Sequence, residues 1–419
     1  MEKKIWIMNH YATNMFFNQG GRHYWFAENL LKQGYEPIIF CANTKHNNKV
    51  IIDTERRKYV IKETNGIPFV FVKTSPYQGN GFGRVKNMFG FSKNLLLIAK
   101  KFAKDYGKPD VILASSVHPL TLVVGIIIAK KFKIPCICES RDLWPETLVA
   151  YGAIKKESVF ARILYKGEKW IYKKADKLIF TMQGGKDYII EKGWDKASGG
   201  PIDLDKVHHI NNGVDLEAFD YNKEHFQIDD ADLKDNESFK VIYVGSIRLV
   251  NNLGLLLDTA KILKERGESK IKFLIWGDGN ELEALKQRVQ QEGLTNVSFK
   301  GRVDKKYVPY ITSCGQLNIV LGKSSPLYKY GGSLNKMFDY FASGKPTLFT
   351  FRLGYSLIEK YEVGMELDTN DPIKIADAIM HFSEMPESQH QKYSINARAA
   401  AADFDFKILS SKLIKLLES

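Results

Sequence analysis

The stretch YGGSLNKMFDYFASGKP, residues 330–346, holds the densest set of groups able to do chemistry. Two glycines followed by Ser333, Leu334 and Asn335 at the start of a helical pattern would turn free backbone N–H groups toward an anion. Lys336 then falls in the first helical turn, where a cation opposes the helix dipole unless an anion is bound there. Asp339 lies about one turn further on, where a carboxylate could accept hydrogen bonds from a sugar diol. A capped amphipathic helix ended by Gly344 would explain the caps, but it would leave the lysine unexplained.

Other candidates stand at the ends of short apolar runs. Gly20 and Gly21 lie between a strand and a helix-like stretch at 22–33, so the backbone could approach a ligand closely at a helix N-terminus. An ordinary strand-to-helix turn fits equally well, and the spacing is not the GxGxxG of dinucleotide binders. His118 follows the strand at 111–114, and Arg141 and Asp142 follow the next one in ESRDLWP. The last two could contact polar substrate groups or form a structural ion pair. In the second half Ser246 and Arg248 leave one strand, and Gly277, Asp278 and Gly279 leave the next. These are small or polar residues where a loop must admit a ligand, although either could be a plain turn. No DxD-like metal clamp accompanies these loops, and no metal or other cofactor is expected. Cys41, Cys136, Cys138 and Cys314 lack zinc spacing, so a buried structural role is expected for the C-x-C pair.

To position such groups, the chain alternates short apolar runs with longer helical patterns, the signature of βαβ units. Strands are expected at 5–8, 37–41, 68–72, 111–114, 136–138, 178–181 and 207–210, and the pattern restarts at 241–244, 272–275, 297–299, 317–320 and 347–349. This predicts an α/β protein of two doubly wound domains. The boundary falls in the turn-rich Asn211 to Asp215 and the polar stretch at 222–237. Ligands of open parallel sheets bind beyond the carboxyl ends of the strands. Two such domains facing a central cleft would suit a transfer between two ligands.

Length and composition agree: 419 residues, 44% apolar and 26% charged, suit two or three soluble globular domains. The net charge of +13 is uneven. Residues 1–217 carry 34 basic and 21 acidic groups, whereas 218–419 carry 27 of each. Segments 56–133 and 155–177 hold more than the whole excess, which points to an anionic partner of the first half. From Val85 to Tyr106, Val85, Met88, Phe89, Leu95, Leu96, Ala99, Phe102, Ala103 and Tyr106 recur at helical spacing, with Lys86, Lys93, Lys100, Lys101 and Lys104 between them. Such a helix could pack on the sheet with a lysine-rich outer face, or lie on an anionic membrane. No signal-peptide core and no apolar run of about 20 residues is present, so a cytoplasmic protein with only peripheral membrane contact is expected.

Four stretches together carry a family likeness: the Gly20-Gly21 loop, SSVHPLTL with ESRDLWPETL, the linker INNGVDLEAF, and YVGSIRLVNN through WGDG to SLNKMFDYFASGKP. The chain resembles a family-four glycosyltransferase of the GT-B fold, and in the RDLWP and SLNKMFDYFASGKP runs the subgroup that adds amino or deoxy sugars during bacterial surface-polysaccharide assembly. The resemblance implies an acceptor-binding domain over 1–215 and a nucleotide-sugar domain over 216–402, with a terminal helix at about 403–419 packing back on the first. It implies that Gly277 to Gly279 and the backbone near Arg302 and Val303 surround the base. Asp339 would hold the ribose, and the N–H groups from Ser333 to Asn335 the diphosphate. It further implies that His118 lies near the transferred sugar and Gly20 and Gly21 near the donor phosphates. The family's first acid is replaced by Gly331, and its arginine and lysine after the first strand of the second domain by Ser246 and Asn251. Arg248 or Lys336 would then supply the compensating charge.

The expected activity is metal-independent, retaining transfer of a hexosyl or N-acetylhexosaminyl group from a nucleoside diphosphate sugar, UDP-linked, to a lipid-linked or saccharide hydroxyl. An epimerase or phosphorylase on the same fold is the alternative enzyme. Nucleic acid is disfavoured as a partner, because no recognised binding motif is present and a duplex-binding patch leaves the SLNKMFD loop unexplained.

Overall fold

The computed structural model describes residues 3–45, 50–79, 81–116 and 118–419. Val117 of the SSVHPLTL run, and parts of the 56–133 segment and of the amino terminus, lie outside the described residues. The chain forms two compact units, Met1–Asn211 with Leu409–Ser419, and Asn212–Ile408.

In the first unit, eight strands follow one another along the chain: β1 (Lys4–Met8), β2 (Glu36–Ala42), β3 (Tyr59–Thr64), β4 (Ile67–Val72), β5 (Val111–Ser115), β6 (Cys136–Ser140), β7 (Lys177–Phe180) and β8 (Val207–His209). They form one sheet in the order β3-β4-β2-β1-β5-β6-β7-β8, parallel except for β3. β1, β5 and β6 read as almost unbroken apolar runs because helices cover both faces of a parallel sheet. Trp6 of β1 is fully buried with Phe40 at 4.9 Å and edge-on to Phe102 and Phe132 at 5.4 and 5.8 Å. Burying an aromatic side chain of about 200 Å² contributes roughly 5 kcal/mol at about 25 cal/mol per Å².

The sequence reading missed β3, a polar edge strand that alternates KYVIKET. The signal was nevertheless there, since Asn65 and Gly66 both take positive φ, 48° and 75°, in the tight turn that Asn-Gly favours. Helix α1 (Thr13–Asn18) was also missed, inside what reads as a loop before α2 (Arg22–Lys32). The amphipathic helix is α3 (Phe82–Tyr106), but its inward face differs from the one expected. Asn87, Phe91, Leu95, Ile98, Ala99 and Phe102 are buried, while Val85, Phe89 and Tyr106 join Phe82 on the exposed side. Next come α4 (Pro119–Phe132), α5 (Glu146–Ala150) and α6 (Val159–Lys174). α4 approaches β5 closely because Gly125 faces Ala114; a β-carbon there would stand 2.6 Å from the Ala114 Cβ. Cys136 and Cys138 are buried free thiols with Sγ atoms 3.9 Å apart.

The second unit repeats the architecture with β9 (Phe239–Val244), β10 (Ile271–Trp276), β11 (Val297–Gly301), β12 (Leu317–Val320), β13 (Thr347–Phe349) and β14 (Gly364–Glu366), all parallel, ordered β11-β10-β9-β12-β13-β14. β14 escaped the sequence reading because its Gly-Met-Glu makes no apolar run and is only half-buried. The core lies between the helix Leu253–Glu265, the helix Pro372–Ser383 and the sheet, with Tyr243, Leu256, Phe273, Ile275, Ile319 and Phe382 fully enclosed.

Candidate functional site

The carboxyl ends of β1, β5 and β6 bring a group of buried polar side chains together in the first unit. Glu139, one residue before the end of β6, has both oxygens occupied. Arg22 Nε donates to Oε2 at 2.8 Å, while Ser115 Oγ donates to Oε1 at 2.8 Å and His23 Nε2 lies 3.1 Å from the same atom. Burial opposes ionisation of Glu139, yet Arg22 and then His23 hold its carboxyl well below the usual carboxylate range. Asn9 Nδ2 stands 2.8 Å from His23 Nδ1, and the Arg22 guanidinium also donates to the carbonyls of Ile210 and Asn211. This network locks the start of α2 to two strand ends. Gly21, the residue before α2, has φ 110°, which only glycine adopts without strain, and no side chain caps the helix. Gly20 packs against Trp25, with 3.3 Å left for a β-carbon.

His118 is the N-cap residue of α4 and is buried. Its Nε2 meets Nδ1 of His10 at 2.6 Å, and the His10 ring is sandwiched between Tyr11 and Phe91, each 4.5 Å away. Burial, with help from Arg84, lowers the His118 pKa to about 3, so the ring is neutral at any physiological pH. A neutral His118 sharing one hydrogen with the His10 ring has its tautomer fixed by that contact. His118 Nδ1 has no protein partner among the described residues. Arg141 and Asp142 leave β6 as expected, but they make no ion pair with each other among the described residues. Arg141 N instead donates to Ser116 Oγ at 3.0 Å, its carbonyl accepts from Thr181, and its buried Nε lacks a partner among the described residues.

In the second unit, Lys336, Ser246 and Gly277 to Gly279 converge at the carboxyl ends of β9 and β10. Gly277, with φ 149°, passes so near the β9 loop that a β-carbon would lie 1.8 Å from the Gly245 carbonyl. Ile247 N donates to the Asp278 carbonyl at 2.9 Å, and Gly277 N to Gly301 at 2.8 Å, which sets Arg302 and Val303 beside the same edge. Arg302 is exposed, and Val303 packs on Trp276 and Ile311. The helix Asn335–Ala342 starts after Leu334 with no side-chain cap, contrary to the expected Ser or Asn cap. Ser333 is engaged elsewhere: its Oγ accepts from Asn212 N at 2.7 Å and its carbonyl from Asn212 Nδ2 at 2.6 Å. The first-turn N–H groups are therefore left without a side-chain acceptor.

The Lys336 side chain folds back over the Tyr243 ring, 4.4 Å from its centroid and 3.2 Å from its hydroxyl. Its ammonium stands 2.8 Å from where a β-carbon on Gly245 would be. It has no carboxylate partner among the described residues, and desolvation lowers its pKa to about 8. Asp339, one turn on, is half-buried and raised to about 6 by burial, with Lys305 opposing. Arg248 is exposed on the loop after β9. Ser246 and Asn251 bond to each other, Asn251 Nδ2 donating to Ser246 Oγ at 2.9 Å and to its carbonyl at 2.7 Å.

Two family models match the chain consecutively: Glycosyltransferase Family 4 over residues 24–218 and Glycosyl transferases group 1 over 225–400. The chain belongs to the family-four glycosyltransferases. Among curated relatives, a Pseudomonas aeruginosa protein described as a probable glycosyltransferase, WbjE, is 22% identical over 311 residues, covering 73% of this chain and 72% of that protein. TuaH of Bacillus subtilis, described as a teichuronic acid biosynthesis glycosyltransferase, is 25% identical over 288 residues, 67% and 66% of the two chains. Among solved structures, sucrose-phosphate synthase from Thermosynechococcus elongatus matches with a TM-score of 0.73 at 17% identity, over 100% of this chain and 98% of that one. Anabaena HepE in complex with UDP matches with 0.67 at 14%, over the whole of both chains. The fold is therefore GT-B, and the family assignment makes the protein a glycosyltransferase.

Sequence reasoning missed His10, Arg22, His23 and Glu139. A weak signal existed, since Asn9 and His10 directly follow β1 at the ligand-facing end of the sheet, and Glu139 is an acid inside an apolar strand. No helix among the described residues is long and apolar enough to cross a membrane.

Proposed function

We propose that this glycosyltransferase moves a hexosyl or N-acetylhexosaminyl group from a UDP-linked sugar to a hydroxyl of a lipid-linked or saccharide acceptor in bacterial surface-polysaccharide synthesis. The observation that carries this reading is Lys336: a half-buried ammonium without a carboxylate partner among the described residues, its pKa lowered to about 8, beside an uncapped helix N-terminus. A diphosphate supplies the missing counter-charge and accepts the free N–H groups from Ser333 to Asn335. Asp339 holds the ribose hydroxyls, and Gly277, Asp278 and Gly279 with Arg302 and Val303 surround the base. Support for UDP comes from HepE, solved with UDP and with UDP-glucose. Support for polysaccharide synthesis comes from the name given to TuaH.

In the reaction, the bond from the sugar C1 to the leaving phosphate oxygen breaks, C1 bonds to the acceptor oxygen, and the acceptor proton goes to the departing phosphate. Negative charge grows on the diphosphate, where a fixed ammonium and fixed N–H dipoles are typically worth a few kcal/mol each. His118, neutral and held by His10, serves the transferred sugar with its Nδ1. The reading includes retention of configuration and no metal.

The acceptor end lies on a cytoplasmic, peripheral membrane surface. In a parallel sheet each helix begins at the carboxyl end of the preceding strand, so the starts of α3, α4 and α6 share the edge that carries His118. Exposed there are Phe82, Val85 and Phe89 of α3 and Val159, Phe160 and Ile163 of α6, the last three 70%, 57% and 59% accessible. Lysines 86, 155, 156 and 166 stand among them, a mixture suited to an anionic bilayer.

A panel of nucleotide sugars screened by thermal denaturation tests the donor. A ligand at a hundred times its dissociation constant adds roughly 2.7 kcal/mol, and if no nucleotide sugar raises the melting temperature the donor reading fails. Sedimentation with anionic vesicles tests the surface, with loss expected in the triple Val159→Ser, Phe160→Ser, Ile163→Ser variant. Binding unaffected by that variant, or equal on neutral vesicles, would sink it.

A further inference from the structure

Glu168 of α6 is a buried acid that no step of the transfer uses, and it makes no ion pair among the described residues. It sits between two tyrosines. The Tyr188 hydroxyl donates to Oε2 at 2.8 Å, and the Tyr172 hydroxyl lies 2.9 Å from Oε1. From Tyr172 the contacts continue to Ser140 Oγ at 3.3 Å, and from Ser140 Oγ to the Asp142 carbonyl at 3.1 Å. The row therefore ends on the turn that carries Arg141 and Asp142 away from β6. Two further hydrogen bonds hold the Arg141 backbone, its N–H donating to Ser116 and its carbonyl accepting from Thr181. A cavity of about 10 Å³ lies alongside, lined by Ser116, Ser140, Asp142, Trp144, Glu168 and Tyr172, with room for one water at most and none for a ligand.

The row has three contacts, and its two hydroxyls bring two hydrogens. With Glu168 as a carboxylate, Tyr172 donates to it and Ser140 to the Asp142 carbonyl, so the contact between the two hydroxyls carries no hydrogen. With Glu168 as an acid, Oε1 donates to Tyr172, Tyr172 to Ser140 and Ser140 to the carbonyl, while Oε2 still accepts from Tyr188. We propose that the proton of Glu168 is the third hydrogen of this row and that its loss slackens the Arg141–Asp142 turn, which makes Glu168 a positioning residue and a pH-sensitive latch beneath the end of β6. The surroundings favour the acid. Lys192, the cation that acts on Glu168, is ion-paired to Glu146, which also accepts from Tyr165. Asp142 lines the same cavity and feels Arg141 and Arg84, and Cys138 acts on Tyr172. Burial pushes the Glu168 carboxyl from the ordinary 4.5 up to about 8, against both tyrosines and Lys192. Between those values the folded chain holds more protons at this site than the unfolded one, so stability falls as pH rises through that window. The latch does not depend on which sugar is transferred.

Trp144 reports the state of the turn, because it lies two residues beyond Asp142 and lines the same cavity. In the full chain labelled with 5-fluorotryptophan, its fluorine resonance, assigned with Trp144→Phe, should shift in one step centred near pH 8. Glu168→Gln keeps a neutral side chain whose amide donates to Tyr172 and whose oxygen accepts from Tyr188. It should remove the step and hold the signal at its low-pH position throughout. Tyr172→Phe cuts the row, so it should also remove the step but leave the signal away from that position. Unchanged resonances of Trp6 and Trp276, buried in the first and second units, report that the variants are folded. Infrared difference spectra of the wild type give a measurement independent of any variant: a protonated-carboxyl C=O band should vanish with the same midpoint as the Trp144 step. A Trp144 signal flat from about pH 6 to 10, a step that survives in Glu168→Gln and so belongs to Asp142 or another group, a Tyr172→Phe signal at the low-pH position, or a step without loss of the infrared band would each overturn the latch.

Discussion

Replacing Lys336 by Met should make the protein more stable and worse at binding its donor. The side chain is half-buried against Tyr243 without a carboxylate partner among the described residues, and desolvation lowers its pKa from the ordinary 10.5 to about 8. That drop corresponds to roughly 3 kcal/mol at about 1.4 kcal/mol per pH unit, an upper bound because the group keeps some solvent contact. The sign follows from proton binding. Between pH 8 and 10.5 the unfolded chain holds more protons at this site than the folded one, so stability rises with pH across that window. At pH 7 the charged ammonium therefore costs the fold up to about 3 kcal/mol, which Lys336→Met removes while filling nearly the same volume. For a unit of this size, one kcal/mol moves the melting temperature by about 2–4 °C, so calorimetry should register a rise of several degrees. The same ammonium is the counter-charge for the diphosphate, so UDP affinity should drop roughly ten-fold or more in the variant. In the wild type, UDP binding should weaken up to about tenfold per pH unit above pH 8, with proton uptake on binding. A lower melting temperature for the variant, or a UDP dissociation constant flat from pH 7 to 10, would refute this account of the site.

Further outcomes follow from the first unit. Replacing His10 by Ala should lower kcat by about ten-fold or more with the donor KM little changed, because His118 loses the partner that fixes its tautomer. His10→Asn, which keeps a nitrogen near the Nδ1 position, should recover part of the rate, and a KM effect alone would argue for a purely structural role. Glu139→Ala should destabilise the first unit by about 3–5 kcal/mol in urea denaturation, since it leaves Arg22 buried without its partner. Glu139 is held well below the usual range, so its contribution is present above the unfolded carboxylate pKa and is lost as pH falls through the folded one. Wild type should accordingly lose stability on acidification through that range more steeply than Glu139→Gln.

The elements that were legible in the sequence are those whose side chains face one kind of surroundings along their whole length. β1, β5 and β12 are enclosed on both sides and read as apolar runs. β3 and β14 are short or half-exposed, and only the Asn65-Gly66 turn advertised the former. α3 shows the limit of helical spacing: its period was plain, but Phe82, Val85 and Phe89 share that period without being covered. Periodicity shows that a face exists, whereas what covers it depends on the neighbouring layer.

The site divides in the same way. Residues that end strands or begin helices, such as His118, Arg141, Ser246 and Lys336, could be found because position along the chain alone brings them to one edge of a sheet. The side chains that give them their chemistry could not, because each pairing joins segments far apart in the chain. His10 meets His118 across 108 positions and Arg22 meets Glu139 across 117. Lys336 reaches Tyr243 across 93. The loop after β9 is the clearest case. Ser246 and Asn251, where the family carries its cations, bond to each other instead, while the ammonium of Lys336 stands beside Gly245. Read one position at a time, Ser246 and Asn251 are two polar residues of a loop and Lys336 is the start of a helix. Read in space, the neutral pair holds the loop in shape, and the ammonium beside it is delivered from a segment 93 positions away from its tyrosine partner.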